Sequence, residues 1–500
     1  MKGSFWLPFV PAFLAVSGFY LATFYPGLVE DPPQTGSVIA SVSHPHFYSR
    51  AFSPLYLLIG QIGKILPGEN LAFYGNLFSL CLGLGAVGLL YIVVRKLTLR
   101  IIPALFAALS LGLSSLFWPF SVVANFYIPF CFFSYLLLML LLFDSSLFWW
   151  GFLGGILIST LPSGLAMIVP LLTAVFIRKH FSGWKDVFNI VGGLCLGLFP
   201  LLVASLFFNF SWQSYFEALR FLDSSLYQNF LNLLALFAEV PWGYVFLFFV
   251  GILWGGESVK RKVFLSYLFS FLPLALFFPL PQSKGLFLPF WGAFFAFSAW
   301  GLAALLDLLN LFQQTKIGVA WENKLFVLIF KLKQQVALLK ALFAGVLVVF
   351  VGLLIVWDID ARYETAARSG EDLLIYMERA TPVLVPQTLV LVEEQLYLST
   401  LQYLKACNGY GDVVITSTSL PYDEEEQDRV RSNFPSLVMA SLDFVRGSKG
   451  EEVLQAFVAD NLDNWGIYLA LRPALGDQQG SWGEFTLIPE GPLYRIQDRD

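Results

Sequence analysis

Residues 71–96 read LAFYGNLFSLCLGLGAVGLLYIVVRK. No charged side chain occurs in this stretch before the closing pair, Arg95 and Lys96. About 20 predominantly apolar residues in a helix cross the hydrocarbon core of a bilayer, so the stretch predicts a transmembrane helix. Its basic end predicts the side that faces the cytoplasm, because Lys and Arg concentrate in cytoplasmic loops.

The composition of the whole chain is that of a membrane protein. Of its 500 residues, 57% are hydrophobic and 13% are charged, and the mean hydropathy is +0.70. Composition this apolar excludes an ordinary soluble enzyme, whose core could not bury so much apolar surface. We therefore expect a lipid bilayer as the surrounding medium, and no nucleic acid as a partner.

Comparable apolar runs recur as far as residue 357. They predict eleven membrane spans, at roughly 5–25, 71–94, 101–118, 121–143, 147–161, 163–177, 187–208, 236–254, 263–279, 288–307 and 341–357. The runs 147–161 and 163–177 are short. The residues between them allow either a break between two helices or a kink in one.

Charge predicts the orientation of these spans. With the N-terminus in the cytoplasm, the inner loops hold 15 of the 19 Lys and Arg residues before residue 358, and the outer loops hold 4. Merging the short pair would move the cluster at 260–262 outside, so the charge bias favours eleven spans. The first outer loop is then 26–70, and the chain after the last span is extracytoplasmic.

Residues 358–500 have a different character. They hold 11 Lys and Arg against 24 Asp and Glu, whereas residues 1–357 hold 19 against 11. Apolar, β-branched stretches predict strands at 388–394 and 412–418, with later strands at 465–471 and 484–491, and the stretches 423–434 and 451–462 predict helices. We predict a transmembrane domain at 1–357 and a C-terminal soluble α/β domain at 358–500.

The first outer loop gathers residues able to do chemistry. Asp31 follows the first span closely, where a carboxylate could take a proton from an acceptor hydroxyl, and Glu30 is its neighbour. The guanidinium of Arg50 could bind a phosphate through two parallel hydrogen bonds, and His44 and His46 could form hydrogen bonds to the same phosphate. These residues predict a phosphate-binding, acid–base site.

Plainer interpretations of the same residues stay open. Glu30 and Asp31 precede a proline pair, and a solvated turn explains them. The histidines could simply cap the loop. On a strand His44 and His46 would point the same way, but no third ligand is apparent, so we predict no metal.

A second outer loop, 209–235, supplies Trp212, Arg220 and Tyr227. Arg220 lies three residues from both Glu217 and Asp223, so a helix would place the three on one face. Such a face could line a headgroup site, or it could be a solvated face with internal ion pairs.

Several short motifs carry a family resemblance. They are His44-Pro45, Ser53-Pro54-Leu55-Tyr56, Asn76-Leu77-Phe78-Ser79, Phe117-Trp118, Asn125-Phe126-Tyr127, Leu226-Tyr227 and Pro489-Glu490-Gly491-Pro492-Leu493-Tyr494-Arg495-Ile496. Together they resemble the protein O-mannosyltransferase-like polytopic membrane family of the GT-C glycosyltransferase superfamily, including its bacterial branch. The expected fold is a GT-C-like helical membrane domain with a soluble α/β domain.

The resemblance also implies a function. It implies a polyprenyl-phosphate sugar donor, an acceptor hydroxyl on a protein or glycan, and transfer at the outer face of a bacterial inner membrane without a bound cofactor. A catalytic Asp is expected in the first outer loop, where Asp31 matches. Arg50, Arg220 and His44 would then hold the donor phosphate, and the remaining substrate-binding candidates are His46, Asn125, Tyr127, Trp212 and Tyr227.

Two departures from the family pattern support an alternative. Ser37 stands where a Glu is expected, and Asn125 stands where another Glu is usual. A catalytically degenerate member, acting as a membrane scaffold or a lipid-phosphate-binding protein, would account for both.

The charge pattern generates a topology prediction. Reporter domains fused at Lys185 and Ser448 should report the cytoplasm and the exterior respectively, because an odd number of predicted spans, the last five, lies between these two positions. Activity of a compartment-specific reporter such as alkaline phosphatase measures this, and reporters on one and the same side would contradict it.

Overall fold

The computed structural model describes the residues in the following ranges: 9–24, 53–55, 58, 71–114, 117–143, 146–178, 183–207, 240, 242–254, 258–271, 285–314, 375–408, 410, 412–422, 424–444, 450–470 and 480–498. The helices of the N-terminal part are α1 (Phe9–Ala22), α2 (Leu71–Thr98), α3 (Ile101–Gly112), α4 (Trp118–Ser121), α5 (Tyr127–Leu142), α6 (Leu147–Thr160), α7 (Ile168–Arg178), α8 (Trp184–Gly197), α9 (Phe199–Phe207), α10 (Trp242–Trp254), α11 (Ser258–Ser270) and α12 (Leu288–Gln314).

These helices confirm the predicted helical membrane domain. Every predicted run up to 288–307 overlaps a helix, and the last run, 341–357, lies outside the described residues. Within the described part, three helical stretches are long and apolar enough to cross a membrane: Phe73–Thr98, Trp184–Phe207 and Leu288–Asp307. The other apolar helices of this part are shorter.

The predicted span 121–143 is interrupted near its start. The short helix α4 ends at Ser121, and α5 begins only at Tyr127. The five residues between them leave the helical pattern although three of them, Val122, Val123 and Ala124, are apolar. Side chains bind two of their backbone groups, the N–H of Ala124 and the carbonyl of Val123.

The ambiguous region 147–178 consists of two helices. A 3-10 helix, Pro162–Met167, separates α6 from α7. A Cβ placed on Gly164 would lie 2.5 Å from the carbonyl of Leu157, and one on Gly154 would lie 3.8 Å from Leu171. Residues that come later in the chain thus contact earlier residues of α6. The chain therefore reverses its direction between the two helices, and α6 and α7 are antiparallel.

Helices α6 and α8 are packed backbone against backbone. Cβ atoms placed on Gly151 and Gly193 would lie only 2.0 Å and 2.1 Å from the carbonyl oxygens of Ile190 and Phe148. One turn further on, a Cβ on Gly197 would lie 2.1 Å from the carbonyl oxygen of Phe152. The two helices run in parallel, and their glycines at four-residue spacing permit the contact, as small residues commonly do between membrane helices.

Helix α12 lies inside the bundle and is held by tyrosines. The Tyr135 hydroxyl of α5 donates to the Leu288 carbonyl at 2.8 Å, close against Gly292. On the neighbouring helix α11, Tyr267 is hydrogen-bonded to Ser134 of α5. These hydroxyls need partners because the surrounding core is apolar, and the pairing fixes α5 against both neighbours.

The C-terminal part is the predicted α/β domain. Its strands are β1 (Thr388–Val392), β2 (Val413–Ser417), β3 (Gly466–Ala470), β4 (Gly480–Trp482), β5 (Phe485–Glu490) and β6 (Leu493–Asp498), and its helices are α13 (Gln395–Asn408), α14 (Glu424–Asn433) and α15 (Gly450–Asn461). The sheet order is β2-β1-β3-β6-β5-β4. The first three strands are parallel and the last three are joined by antiparallel pairs.

Each face of this sheet has its own apolar core. One core includes residues of α14 and α15, and the other includes residues of α13 and the helical segment 375–380. The hairpin between β5 and β6 turns at Gly491, whose φ of +64° favours glycine. That hairpin is the motif 489–496 noted in the sequence, so the motif has a clear folding role.

The glycine contacts generate a stability prediction. Gly193→Ala should destabilise the protein by about 1–3 kcal/mol, because the new methyl group would force α6 and α8 apart. Gly192→Ala is the matched control, since a Cβ at Gly192 meets no atom of the described residues within 4 Å. Thermal unfolding in detergent measures both. Equal melting temperatures for the two variants would contradict the packing described here.

Candidate active site

Contacts between helices show which helix ends lie together. At one end of the bundle, Phe24 packs edge-on against Phe73 with ring centroids 5.6 Å apart, so α1 ends where α2 begins. At the other end, the Lys96 ammonium lies 4.7 Å from the Phe143 ring centroid, so α2 and α5 end together. Arg100 forms an ion pair with Asp307 of α12 near the same place.

We call the first of these the loop end, defined by Phe24, Phe73, Tyr127 and Gly285, and the second the basic end. α6 starts directly after α5, near the basic end, and therefore runs towards the loop end. α8 is parallel to α6, so α9, which continues it, finishes at the loop end with Phe207. Phe24, the start of α2 and Phe207 thus lie at the loop end, and in the sequence they adjoin the segments 25–52, 59–70 and 208–239.

Those intervening segments contain eight of the sequence-predicted site residues. Glu30, Asp31, His44, His46, Arg50, Trp212, Arg220 and Tyr227 all lie outside the described residues. Their roles therefore stay predictions. The other two predicted residues, Asn125 and Tyr127, are described, and both lie at the loop end.

Asn125 is a helix-capping residue. Its Oδ1 accepts the N–H groups of Tyr127 and Ile128, at 2.9 Å and 3.0 Å. Its Nδ2 donates to the carbonyl oxygens of Phe120 and Val123, both at 2.6 Å. The cap satisfies donors that every helix N-terminus leaves free. The side chain is 1% exposed, and folding alone accounts for its four hydrogen bonds.

Asn76 ties this connection to a second helix. Its Oδ1 accepts the N–H of Ala124 at 2.6 Å, across 48 residues of sequence. Asn76 lies in the second turn of α2 and is completely buried. The sequence pattern marked Asn76 only as part of a family-like motif. Its partner is distant along the chain, so no local signal predicted this contact.

Tyr127 packs at the start of α5 and closes the loop end on one side. Its ring contacts Phe120 and Phe126, with centroids 5.9 Å and 4.4 Å away. A Cβ on Gly285 would lie 2.3 Å from the same ring. The ring is buried, so the glycine before α12 gives it the space it occupies. Its predicted contact with substrate stays a prediction.

No group of three or more His, Cys, Asp or Glu side chains with metal-binding geometry occurs among the described residues. The histidines fall outside those residues, so the expectation of no metal stays a prediction.

Among the described residues of the C-terminal α/β domain, Lys405 is a cation buried in the core. Lys405 of α13 donates to the Val413 carbonyl and lies 4.9 Å from the Phe434 ring centroid. Burial, assisted by the charge of Arg429 and opposed by Asp412, lowers the pKa of Lys405 to about 8. These contacts connect α13 to β2 and to the end of α14, so Lys405 stabilises the packing of the domain. The lysine therefore adds no candidate to the catalytic site.

Comparison with known proteins supports the helical assignment. Protein-family models and curated proteins give no match. Among solved structures, ArnT from Cupriavidus metallidurans bound to undecaprenyl phosphate matches with a TM-score of 0.59 at 13% identity, over 98% of both chains. The apo state of the same protein matches with a TM-score of 0.55 at 12% identity, again over 98% of both chains. The chain therefore has the fold of that protein, which is the GT-C-like helical membrane fold that the sequence predicted.

The cap at the loop end generates a second stability prediction. Asn125→Ala removes the acceptor for two N–H groups and the donor for two carbonyl groups. Loss of the cap alone should cost about 0.5–2 kcal/mol, and the buried carbonyls left unpaired should add to it. Thermal unfolding in detergent measures the loss.

Asn125→Asp is the matched variant, because it keeps the acceptor oxygen and removes the donor. Its carboxylate would face the carbonyl oxygens of Phe120 and Val123, so this variant should also be less stable than the wild type. An alanine variant as stable as the wild type would show that the cap is dispensable.

Proposed function

We propose that this protein is an integral-membrane glycosyltransferase that moves a sugar from a polyprenyl-phosphate donor to an acceptor hydroxyl at the outer face of a bacterial inner membrane. The observation that carries the proposal is the match over 98% of both chains to a GT-C structure that holds undecaprenyl phosphate. The match extends through the membrane part and the α/β part, so the whole architecture supports it.

The loop end supports the location of this reaction. The segments that contain Asp31, Arg50 and Arg220 join the bundle there, beside the described loop-end residues Asn125 and Tyr127. The charge bias of 15 to 4 supports an outer location for the same end. A donor that is anchored in the bilayer by its polyprenyl chain would present its phosphate at this depth.

The reaction is a single displacement. The acceptor oxygen attacks the anomeric carbon of the sugar, and the bond between that carbon and the phosphate oxygen breaks. Polyprenyl phosphate leaves with the bonding electron pair, and Asp31 takes the proton of the attacking hydroxyl. Arg50, Arg220 and His44 hold the phosphate, where charge grows as the bond breaks. A hydroxyl of a protein Ser or Thr fits the O-mannosyltransferase-like motifs.

A second candidate is a degenerate transferase that binds lipid phosphate without transferring sugar. The specific observation in its favour is Asn125, which replaces an expected Glu and whose amide is fully engaged in hydrogen bonds. The replacement at Ser37 points the same way. Both candidates share lipid-phosphate binding, so only a transfer assay separates them.

Substitution of the proposed base tests the mechanism. Asp31→Asn keeps the size of the side chain but removes its basicity, so transfer should fall by about 10²–10⁴-fold while donor binding persists. Arg220→Ala should instead weaken donor binding by about 1.5–3 kcal/mol, since a charge-assisted contact is lost. Radiolabelled sugar transfer and binding of undecaprenyl phosphate are the two measurements.

Glu30→Gln is the matched control, and it should change neither measurement. Loss of transfer in Glu30→Gln with full transfer in Asp31→Asn would move the base by one residue. A wild-type protein that binds undecaprenyl phosphate but transfers no sugar from any lipid-linked donor would favour the degenerate candidate.

A further inference from the structure

The hydrogen bond from Ala124 to Asn76 lies in an unusual place. Residues 122–126 leave the helical pattern between α4 and α5, and most of them are buried in the bundle. A buried N–H without a partner costs about 1–3 kcal/mol. Asn76 supplies the acceptor for Ala124 from another helix, at 2.6 Å.

This bond is the first link in a continuous chain of contacts. Asn76 holds Ala124, and the adjacent Asn125 caps α5 through the N–H groups of Tyr127 and Ile128. One amide oxygen of α2 therefore ties the connection that precedes α5 to α2.

The chain of contacts extends to the other helix ends that meet here. Phe73, nearly one turn before Asn76, packs against Phe24 at the end of α1. Tyr127, at the start of α5, packs against Gly285 before α12. Four helix ends are thus held together by neighbouring groups. The proposed base follows the first of them, α1, after an interval of 7 residues from Phe24 to Asp31.

We propose that Asn76 is a positioning residue for the transfer reaction, holding the connection between α4 and α5 against α2 at the loop end. The inference rests on the proposed function, since it assigns Asn76 to the same site. Asn76 does not act on the sugar or the phosphate. It sets the spacing of the helix ends from which the catalytic segments extend. A displacement of about 1 Å in such a frame can lower the rate by about 10²-fold.

Four variants test this role. Asn76→Leu is close in size and removes the acceptor. Asn76→Asp keeps an acceptor oxygen in either protonation state. Ser79→Ala is a control on the same helix, because the buried Ser79 hydroxyl has no hydrogen-bond partner in the part of the chain that the structure describes. Gly193→Ala is a control for stability, since it weakens the contact between α6 and α8.

The measurements are kcat and KM for transfer from an undecaprenyl-phosphate-linked monosaccharide, together with the melting temperature in detergent. Rates are taken well below every melting temperature. Asn76→Leu should lower kcat by about 10–10²-fold with little change in the KM for the donor. Asn76→Asp should recover most of that kcat, and Ser79→Ala should match the wild type.

Comparison with Gly193→Ala separates positioning from stability. A positioning role requires that Asn76→Leu lose far more kcat than Gly193→Ala for a similar fall in melting temperature. Equal kcat in these two variants would overturn the proposal while leaving the transferase function intact. A wild type that transfers no sugar would overturn the proposed function and this inference with it, so the two failures are distinguishable.

Discussion

Irregular backbone inside an apolar bundle must find polar partners within the protein, because lipid offers none. In this fold that constraint falls on the connection between α4 and α5. Asn125 satisfies two N–H groups and two carbonyls there, and Asn76 satisfies the N–H of Ala124. The loop end keeps its shape because two buried amides meet this demand. The polar segments of the chain then extend from helix ends whose spacing is set in the core.

Close contacts between helices meet a second requirement, which is the association of helices in lipid. Lipid chains are as apolar as leucine, so burial alone drives helix association weakly, and van der Waals packing becomes the main attraction. Glycines at the contact allow it: Gly193 and Gly197 bring α8 onto α6, and Gly251 and Gly301 bring α10 onto α12. Gly285 has another use, since it accommodates an aromatic ring. Glycine therefore serves both the contacts between helices and the packing of an aromatic ring at the loop end.

The sequence predicted the elements of the fold better than their interruptions. Apolar runs and basic flanks identify the helices, because both signals are local. The break before Tyr127 was missed because Val122, Val123 and Ala124 look like part of a span. Four strands of the C-terminal domain, β1, β2, β3 and β5, lie in stretches predicted as strands, whereas β4 and β6 were not predicted. Asn76 illustrates the limit, because its role depends on a partner 48 residues away.

The departure at Asn125 has a physical cause in this chain. The family that the sequence resembles carries a Glu there, whereas the carbonyl oxygens of Phe120 and Val123 lie 2.6 Å from the Asn125 amide nitrogen. Those carbonyls need a donor, and an ionised carboxylate has none to offer and would be repelled by both. With this local backbone, the position is better suited to an amide than to a charged Glu. The folding constraint explains why an amide is suited to this position, and the transfer assay decides whether catalysis was lost with the Glu. The catalytic Asp that the family resemblance implies lies in the first outer loop, so the proposed base, Asp31, does not depend on the residue at position 125.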